Sequence, residues 1–187
     1  MTVVYILIGV AAFLLLMLIV LFNRLVAGRN QVESAWQQID VQLRRRYDLI
    51  PNLVQVVKDY MSYERETLEA VINARNSAMK VHDSGTREEQ IVAENVLSGA
   101  LGKMFALSEA YPDLKANTNV SQLQEELTTT ENKIAFSRQF YNDSVEAQNT
   151  RVESFPSNLV ASWFRFQRHP YFETPPETRE AIKVTLR

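Results

Sequence analysis

Few residues in this sequence have the type and spacing that chemistry requires. Ser77 and Lys80 form a Ser-x-x-Lys pattern, in which a lysine one helical turn away can activate a serine nucleophile. The Ser-Asp-Asn and Lys-Thr-Gly motifs that accompany such a serine do not occur in the sequence, and a pattern with two free positions often arises by chance. We therefore expect that the protein is not an enzyme, and a Ser77→Ala variant tests the alternative of a hydrolase.

Metal and cofactor chemistry lacks its usual residues. The sequence has no cysteine and two histidines, His82 in a predicted turn and His169 before a proline, and neither completes a Glu-x-x-His pair. The five glycines are too scattered for a phosphate-binding loop or a dinucleotide fingerprint. We expect both histidines to lie at the surface and no metal or cofactor to be bound.

The charge balance disfavours one class of partner. With 20 Lys and Arg against 22 Asp and Glu, the formal net charge is -2. Nucleic-acid binding normally needs a basic surface that neutralises phosphates. We therefore expect no nucleic acid among the partners.

The first predicted structural element is a membrane anchor. Residues 3–22 are uncharged and apolar, and at 1.5 Å per residue they span about 30 Å, the thickness of the hydrocarbon layer. Only Met1 and Thr2 precede the run and no small-residue cleavage site follows, so we predict a retained single-pass anchor in lipid rather than a signal peptide. Because Arg24 and Arg29 follow the run, the positive-inside bias predicts a cytoplasmic soluble domain.

Apolar residues recur every three or four positions after the anchor, which predicts a helix. Capping residues are poorly placed around Pro51, so the pattern predicts one helix over 23–80 that is kinked there. A proline at that position frees the carbonyl of Tyr47. We expect a partly buried polar network around the kink, formed by Arg45, Arg46, Asp48 and Asn52 with carboxylates such as Glu131.

Two further long helices follow. Thr86 and Glu89 have the spacing of a capping box, and Asn117, Thr118 and Asn119 offer caps for a helix with a heptad seam. The seam becomes polar at its C-terminal end, which we expect to pack loosely. Gly99 and Gly102 indicate either close helix packing or a helix that tolerates their cost. The seam residues are Val120, Leu123, Leu127, Thr130, Ile134, Ser137, Tyr141, Ser144 and Gln148.

An aromatic segment closes the helical part. Pro156 separates a short amphipathic stretch that carries Phe155, Leu159, Trp163 and Phe166 on one stripe. The stripe either caps the bundle core or docks on a membrane surface or partner; with an unbroken first helix it would lie far from the bilayer. The predicted organisation is an anchor at 1–22, a helical bundle domain at 23–168 and an extended C-terminal tail at 169–187.

Several blocks of residues then follow one another in a characteristic order. They are Trp36, 45–54, 57–60, 110–116, Leu123 with Leu127, Thr130 with Glu131, Arg138, and Tyr141 with Asn142. The chain resembles the LemA family of bacterial single-pass membrane proteins in these blocks, over almost its whole length. It departs from the family where a second Tyr-Asn pair often follows, because Gln148 and Asn149 stand there.

The resemblance implies an antiparallel helical bundle on a membrane anchor and no established biochemical activity. Members are often encoded near membrane metallopeptidases or other envelope proteins, which are thus possible partners. Candidate structural and interaction residues are Trp36, Arg45, Arg46, Asp48, Pro51, Asn52, Tyr111, Pro112, Glu131, Arg138, Tyr141, Asn142, Trp163 and Phe166.

The sequence thus predicts an all-α protein of the bacterial cell membrane, an N-terminal transmembrane helix that continues into an antiparallel up-and-down helical bundle. The favoured function is a non-enzymatic scaffold that forms homo-oligomers or presents its helices to envelope proteins. The alternative is a regulatory adaptor or sensor of a membrane protease or signalling protein in envelope stress.

Overall fold

The computed structural model describes residues 1–173, where every regular element is a helix. The predicted all-α fold is therefore confirmed. The helices are α1 (Thr2–Val57), α2 (Arg65–Ser84), α3 (Arg87–Ser108), α4 (Pro112–Ala116), α5 (Thr118–Glu153) and α6 (Ser157–Trp163).

The described residues form two compact units. Unit one contains residues 1–40 and 136–171, and unit two contains residues 41–135 with 172 and 173. Residues 169–173 have no regular secondary structure, and the rest of the predicted tail lies outside the described residues. The predicted domain boundaries at 22 and 168 stay a prediction.

Unit one begins with the membrane anchor. Within residues 1–173, α1 is the one helix long and apolar enough to cross a membrane, and its apolar stretch is not buried by protein. The α5 helix runs antiparallel to this part of α1, because Gln148 contacts Leu25 while Tyr141 contacts Trp36. A single-pass membrane anchor with packed helices beyond it is the arrangement that the sequence predicts.

Unit two shows that the first helix is shorter than predicted. The α1 helix continues through Pro51 but ends at Val57, and a turn over 58–64 leads to the antiparallel α2. The prediction of one helix over 23–80 is therefore wrong. Met61 is fully buried inside this turn, and its N–H donates to the carbonyl of Val57 at 2.9 Å. A buried residue of the turn falls on the apolar seam, so the spacing pattern alone does not distinguish the turn from helix.

Capping residues begin the later helices as predicted. The Thr86 hydroxyl accepts from the Glu89 N–H, and the Glu89 carboxylate accepts from the Thr86 N–H, so both halves of the capping box are present. The Asn117 side chain accepts from the backbone N–H groups of Asn119 and Val120 at the start of α5. Side-chain oxygens thus satisfy helix-end donors at both positions.

One smaller expectation is wrong in unit two, and one of two alternatives for a glycine pair is excluded. His82 lies in the last turn of α2 rather than in a loop, half-buried with its ring against that of Tyr47 at 6.0 Å. Nothing lies within 4 Å of a Cβ placed on Gly99 or Gly102, so close packing does not require these glycines within the chain. Both glycines are exposed on α3.

Candidate functional site

An arginine from the neighbouring helix compensates for the proline inside α1. Pro51 has no N–H, so the carbonyl of Tyr47 loses its usual helical donor. The Arg75 side chain on α2 donates its Nε–H to this carbonyl at 2.7 Å. A charged donor thus replaces the missing backbone hydrogen bond, which lets α1 continue past the proline for six more residues, to Val57.

One turn of α1 before Pro51 carries a buried charged cluster, which we call the Arg46 cluster. The Arg46 guanidinium donates to the carboxylates of Glu94 on α3 and Glu131 on α5, and to the Ser98 hydroxyl at 2.9 Å. The Tyr47 hydroxyl donates to the other oxygen of Glu94. Five side chains from three helices therefore share one hydrogen-bond network.

Because the Arg46 cluster is buried, substitution of one of its charged residues should destabilise the fold. The Arg46 side chain is 0% exposed and that of Glu94 is 2% exposed, whereas Glu131 at 30% reaches the surface of unit two. Removing one partner from a buried ion pair leaves an uncompensated charge in a medium of low polarity, which typically costs about 3–5 kcal/mol. The cluster can fix which faces of α1, α3 and α5 meet, because only that arrangement pairs every charge.

Only part of the predicted network lies in this cluster. The structure brings Arg46 and Glu131 together, but Asp48 and Asn52 are exposed, so their predicted place in a partly buried network is wrong. The direction of a helical side chain explains this, because Asp48 lies two residues after Arg46 and therefore on another face. Arg45 pairs at 3.6 Å with Glu126 at the surface, where such pairs contribute little.

Unit one places four other candidate residues on or against α5. Trp36 packs edge-on against Tyr141 with ring centroids 5.2 Å apart, and the Tyr141 hydroxyl donates to the Pro170 carbonyl at 2.9 Å. Arg138 and Asn142 are half-buried on the same helix. Trp36 and Tyr141 thus pack α1 against α5 and fix the chain after α6.

The polar end of the α5 seam packs tightly, contrary to the prediction. Ser144, Gln148 and Asn149 are buried. The Gln148 amide donates to the Leu25 carbonyl at 3.1 Å, and the Asn149 side chain exchanges hydrogen bonds with the backbone of His169. Each of these side chains satisfies a backbone group, which is the reason why polar residues are stable at this depth.

Tyr111 and Pro112 begin α4 in unit two. Tyr111 is the N-cap residue and Pro112 the first helical residue, a position where proline is well tolerated. The Tyr111 hydroxyl donates to the Glu64 carboxylate at 3.1 Å, and Asn117 donates to the Tyr60 hydroxyl at 3.0 Å. Desolvation, and next the hydrogen bond with Glu64, raise the pKa of Tyr111 above its ordinary value of 10.0. These contacts hold the 58–64 turn.

The aromatic C-terminal segment packs against α1 at the end of the apolar run. Leu25, Val160 and Ala161 form a buried cluster, against which Phe166 packs. The Phe22 ring lies 4.7 Å from that of Phe164 and 5.9 Å from that of Phe166. We call the group Phe22, Leu25, Val160, Ala161, Phe164 and Phe166 the exit cluster.

The exit cluster overturns two expectations for the aromatic stripe. Phe155, Leu159 and Trp163 are 79%, 63% and 82% exposed, so they do not cap the core, whereas Phe166 does pack inward. The segment also lies beside the end of the anchor rather than far from it. Its approach follows from the chain direction, because α5 returns antiparallel to α1 and α6 follows α5.

The residues considered for catalysis do not assemble a site in the described part of the chain. Ser77 and Lys80 are exposed on α2. No group of three or more His, Cys, Asp or Glu with the geometry of a metal site occurs in residues 1–173. His169 is half-buried through its backbone hydrogen bonds to Asn149.

Sequence reasoning missed Glu94 and Arg75. A signal for Glu94 was present, because this acidic residue stands three positions after Ile91 and three before Leu97, within the apolar seam of α3. A charged residue on a buried seam requires a partner of opposite charge. No comparable pattern marks Arg75.

Comparison with known proteins identifies the family. A model of the LemA family matches residues 35–186. The protein LemA of Metamycoplasma hominis is 26% identical over 140 residues, which are 74% of this chain and 63% of that protein. The magnetosome protein MamQ of Magnetospirillum gryphiswaldense is 23% identical over 182 residues, or 85% of this chain and 67% of that protein.

The chain therefore spans less than two thirds of the length of the mycoplasma relative. The family match nevertheless covers most of its own residues, from Ala35 in the middle of α1 to Leu186 near the C-terminus. The blocks around Pro51, Tyr111 and Tyr141 lie inside this range. On the extent of that match, this chain belongs to the LemA family.

Proposed function

We propose that this protein is a non-enzymatic, membrane-anchored helical scaffold that associates with further copies of itself through the exposed face of α3. The observation that carries the proposal is an apolar and glycine-containing stripe on that helix. Val92 and Val96 lie one turn apart and are 64% and 59% exposed. Gly99 follows on the same side with open space above it.

Such a stripe suits the approach of a second helix. Two exposed β-branched residues supply apolar surface, and a helix without a side chain at Gly99 allows another backbone to come close. The anchor confines every copy to one membrane, which raises the local concentration and populates weak lateral contacts. Cyclic symmetry about the membrane normal would follow, since every anchor points the same way.

The orientation forms part of this proposal. Arg24 and Arg29 follow the anchor and favour a cytoplasmic location for unit two and for the part of unit one outside the membrane. Protease added outside intact cells is expected to leave the units uncut, and their digestion there would reverse the orientation.

The mass of the full chain in mild detergent tests self-association. Gly99→Leu fills the open space above α3 and is expected to lower the oligomer mass to that of one chain. The isolated fold should tolerate it, because nothing within 4 Å obstructs a side chain there and leucine favours helix over glycine. Thr129→Leu, an exposed change on α5, is the matched control and should leave the mass unchanged.

A wild-type mass of one chain over a wide concentration range would contradict self-association. An oligomer that Gly99→Leu leaves intact would instead contradict the α3 face as its contact. These two outcomes separate the function from the surface assigned to it.

A second candidate function is an adaptor for a membrane metallopeptidase or another envelope protein. The observation in its favour is an open groove of about 830 Å³ between the end of α1, the 58–64 turn and the start of α2. Tyr63 in that turn is 93% exposed. A photoreactive residue at position 63 that crosslinks one envelope protein in cells, while one at exposed position 129 does not, would support this function.

A further inference from the structure

The exposed aromatic face beside the anchor has no partner within unit one. Leu159 and Trp163 lie one turn apart on α6 and Phe155 lies just before it, and all three are largely exposed, whereas Val160 and Ala161 of the same helix are buried. Large apolar side chains that are this exposed on neighbouring positions mark an interaction surface. Either lipid or a second copy of the chain could cover these side chains.

The position of the face along α1 favours lipid. Phe22 is the last residue of the apolar run, so its ring lies at the boundary between hydrocarbon and headgroups. The Phe164 ring is 4.7 Å from it, and Trp163 is the preceding residue. The end of α6 therefore lies at the level where tryptophan is enriched in membrane proteins.

Charges around the face fit the headgroup layer. The stretches 23–33 and 150–168 contain five arginines, Arg24, Arg29, Arg151, Arg165 and Arg168, and two glutamates, Glu33 and Glu153. Arg168 pairs with Glu153 at 3.0 Å, and the Arg29 guanidinium lies 5.6 Å from the centroid of the Phe166 ring. A net excess of arginine beside exposed aromatic residues is typical of interfacial membrane helices.

We infer that α6 and the residue pair before it form an interfacial membrane element, which inserts Phe155, Leu159 and Trp163 into the headgroup and upper acyl region of the bilayer that holds the anchor. The partner is the lipid surface itself, with anionic headgroups attracted by the arginines. The inference rests on the anchor and not on the proposed self-association. The element would fix the rotation of α1 in the membrane, because lipid contacts one side of unit one.

Fluorescence of Trp163 in a bilayer tests this inference. The chain has two tryptophans, so Trp36→Phe in the full chain leaves Trp163 as the reporter, with one chain per lipid nanodisc. Lipids brominated near the headgroup end of the acyl chain should quench Trp163 at least about twofold more than lipids brominated near the methyl end, as expected for an interfacial side chain. Absence of quenching by either lipid would overturn the inference.

The converse variant is the control. Trp163→Phe leaves Trp36, which lies about 21 Å beyond Phe22 along α1 at 1.5 Å per residue and is buried against Tyr141. Its emission should not respond to bromine at either depth, and equal quenching of the two tryptophans would contradict a specific insertion of α6.

A second pair of variants separates insertion from contact between copies. Leu159→Asp, at an exposed position, should reduce quenching of Trp163 at least about twofold, whereas Gln167→Asp, which adds the same charge outside the stripe, should reduce it less. If Trp163 is protected only when several chains share a nanodisc, a second copy covers the face and the inference fails.

Discussion

The Arg46 cluster in unit two and the exit cluster in unit one distribute polarity in opposite ways. In unit two an arginine and a glutamate are buried, and they pair with each other and with polar side chains of the surrounding helices. In the exit cluster the buried contacts are apolar, and large aromatic side chains next to it remain exposed. The two clusters are therefore stabilised by different surroundings.

In an anchored protein, the stability of an exposed or buried side chain depends on the medium next to it. A charged pair inside helices surrounded by water selects one arrangement of those helices, because any other leaves a charge unpaired. Exposed aromatic residues beside a membrane span are compatible with a stable fold when lipid is the neighbouring medium. Exposure to water and exposure to lipid thus require separate interpretation.

The largest expected effect comes from breaking the Arg46 cluster. Glu94→Ala leaves the fully buried Arg46 guanidinium without its most buried partner and should lower the free energy of unfolding by about 3–5 kcal/mol. Urea denaturation of the full chain in mild detergent, followed by circular dichroism, measures this change.

Glu126→Ala is the control for that substitution. It removes the exposed partner of Arg45 and should change the free energy of unfolding by about 0–1 kcal/mol. Equal small effects of the two substitutions would mean that the cluster is ordinary surface charge and would remove the contrast between the units.

The same substitution at two glycines should have opposite signs in the two units. A Cβ on Gly28 in unit one would collide with the ends of the Gln148 and Arg151 side chains, so Gly28→Ala should displace Gln148 from the Leu25 carbonyl and destabilise by about 1–3 kcal/mol. Gly99→Ala in unit two meets open space and should stabilise by up to about 1 kcal/mol. Destabilisation by Gly99→Ala in a monomeric preparation would contradict this assignment.

The turn after α6 offers a smaller effect within the exit cluster. Arg165 has φ 57°, and the N–H of Phe166 donates to the carbonyl of Ala161 while that of Arg165 donates to Ser162, as in a Schellman motif. Glycine adopts this conformation without a steric penalty, so Arg165→Gly should stabilise by up to about 1 kcal/mol in detergent. A lower midpoint of urea denaturation would show that the arginine side chain contributes more than the backbone conformation costs.

The smallest expected effect is a pH dependence in unit two. Because the pKa of Tyr111 is raised in the folded state, its stabilising contribution is present below pH 10 and is lost as the pH rises through the folded pKa. Tyr111→Phe removes the hydrogen bond to Glu64, so its stability deficit relative to wild type should be present at pH 8 and shrink above pH 10. Denaturation curves at both pH values measure this, and a deficit that grows with pH would contradict the assignment.

Local signals in the sequence predicted much of the fold. The apolar run of residues 3–22, the capping box at Thr86 and the cap at Asn117 depend on neighbouring residues, and each has the predicted structure. The continuation of α1 through Pro51 was also predicted, because capping chemistry is poor there.

The remaining features depend on residues that are distant in the sequence. The end of α1 at Val57 is fixed by the burial of Met61 and by contacts of Glu64 with Tyr111 and of Tyr60 with Asn117. The partnership of Arg46 with Glu94 joins residues 48 positions apart. The outward direction of Trp163 follows from the return of α5 to the anchor, which the apolar period of α6 alone does not specify.

The unbroken helix between Phe22 and Trp36 has a mechanical consequence. Successive residues of an α-helix are turned by about 100°, so one residue inserted between Phe22 and Leu25 would rotate the anchor by that angle and separate the Phe22 ring from Phe164. An intact helix has no flexible joint in this interval to absorb torque. A rotation or tilt of the anchor that the bilayer imposes is therefore transmitted to Leu25 and Trp36, and through them to α5.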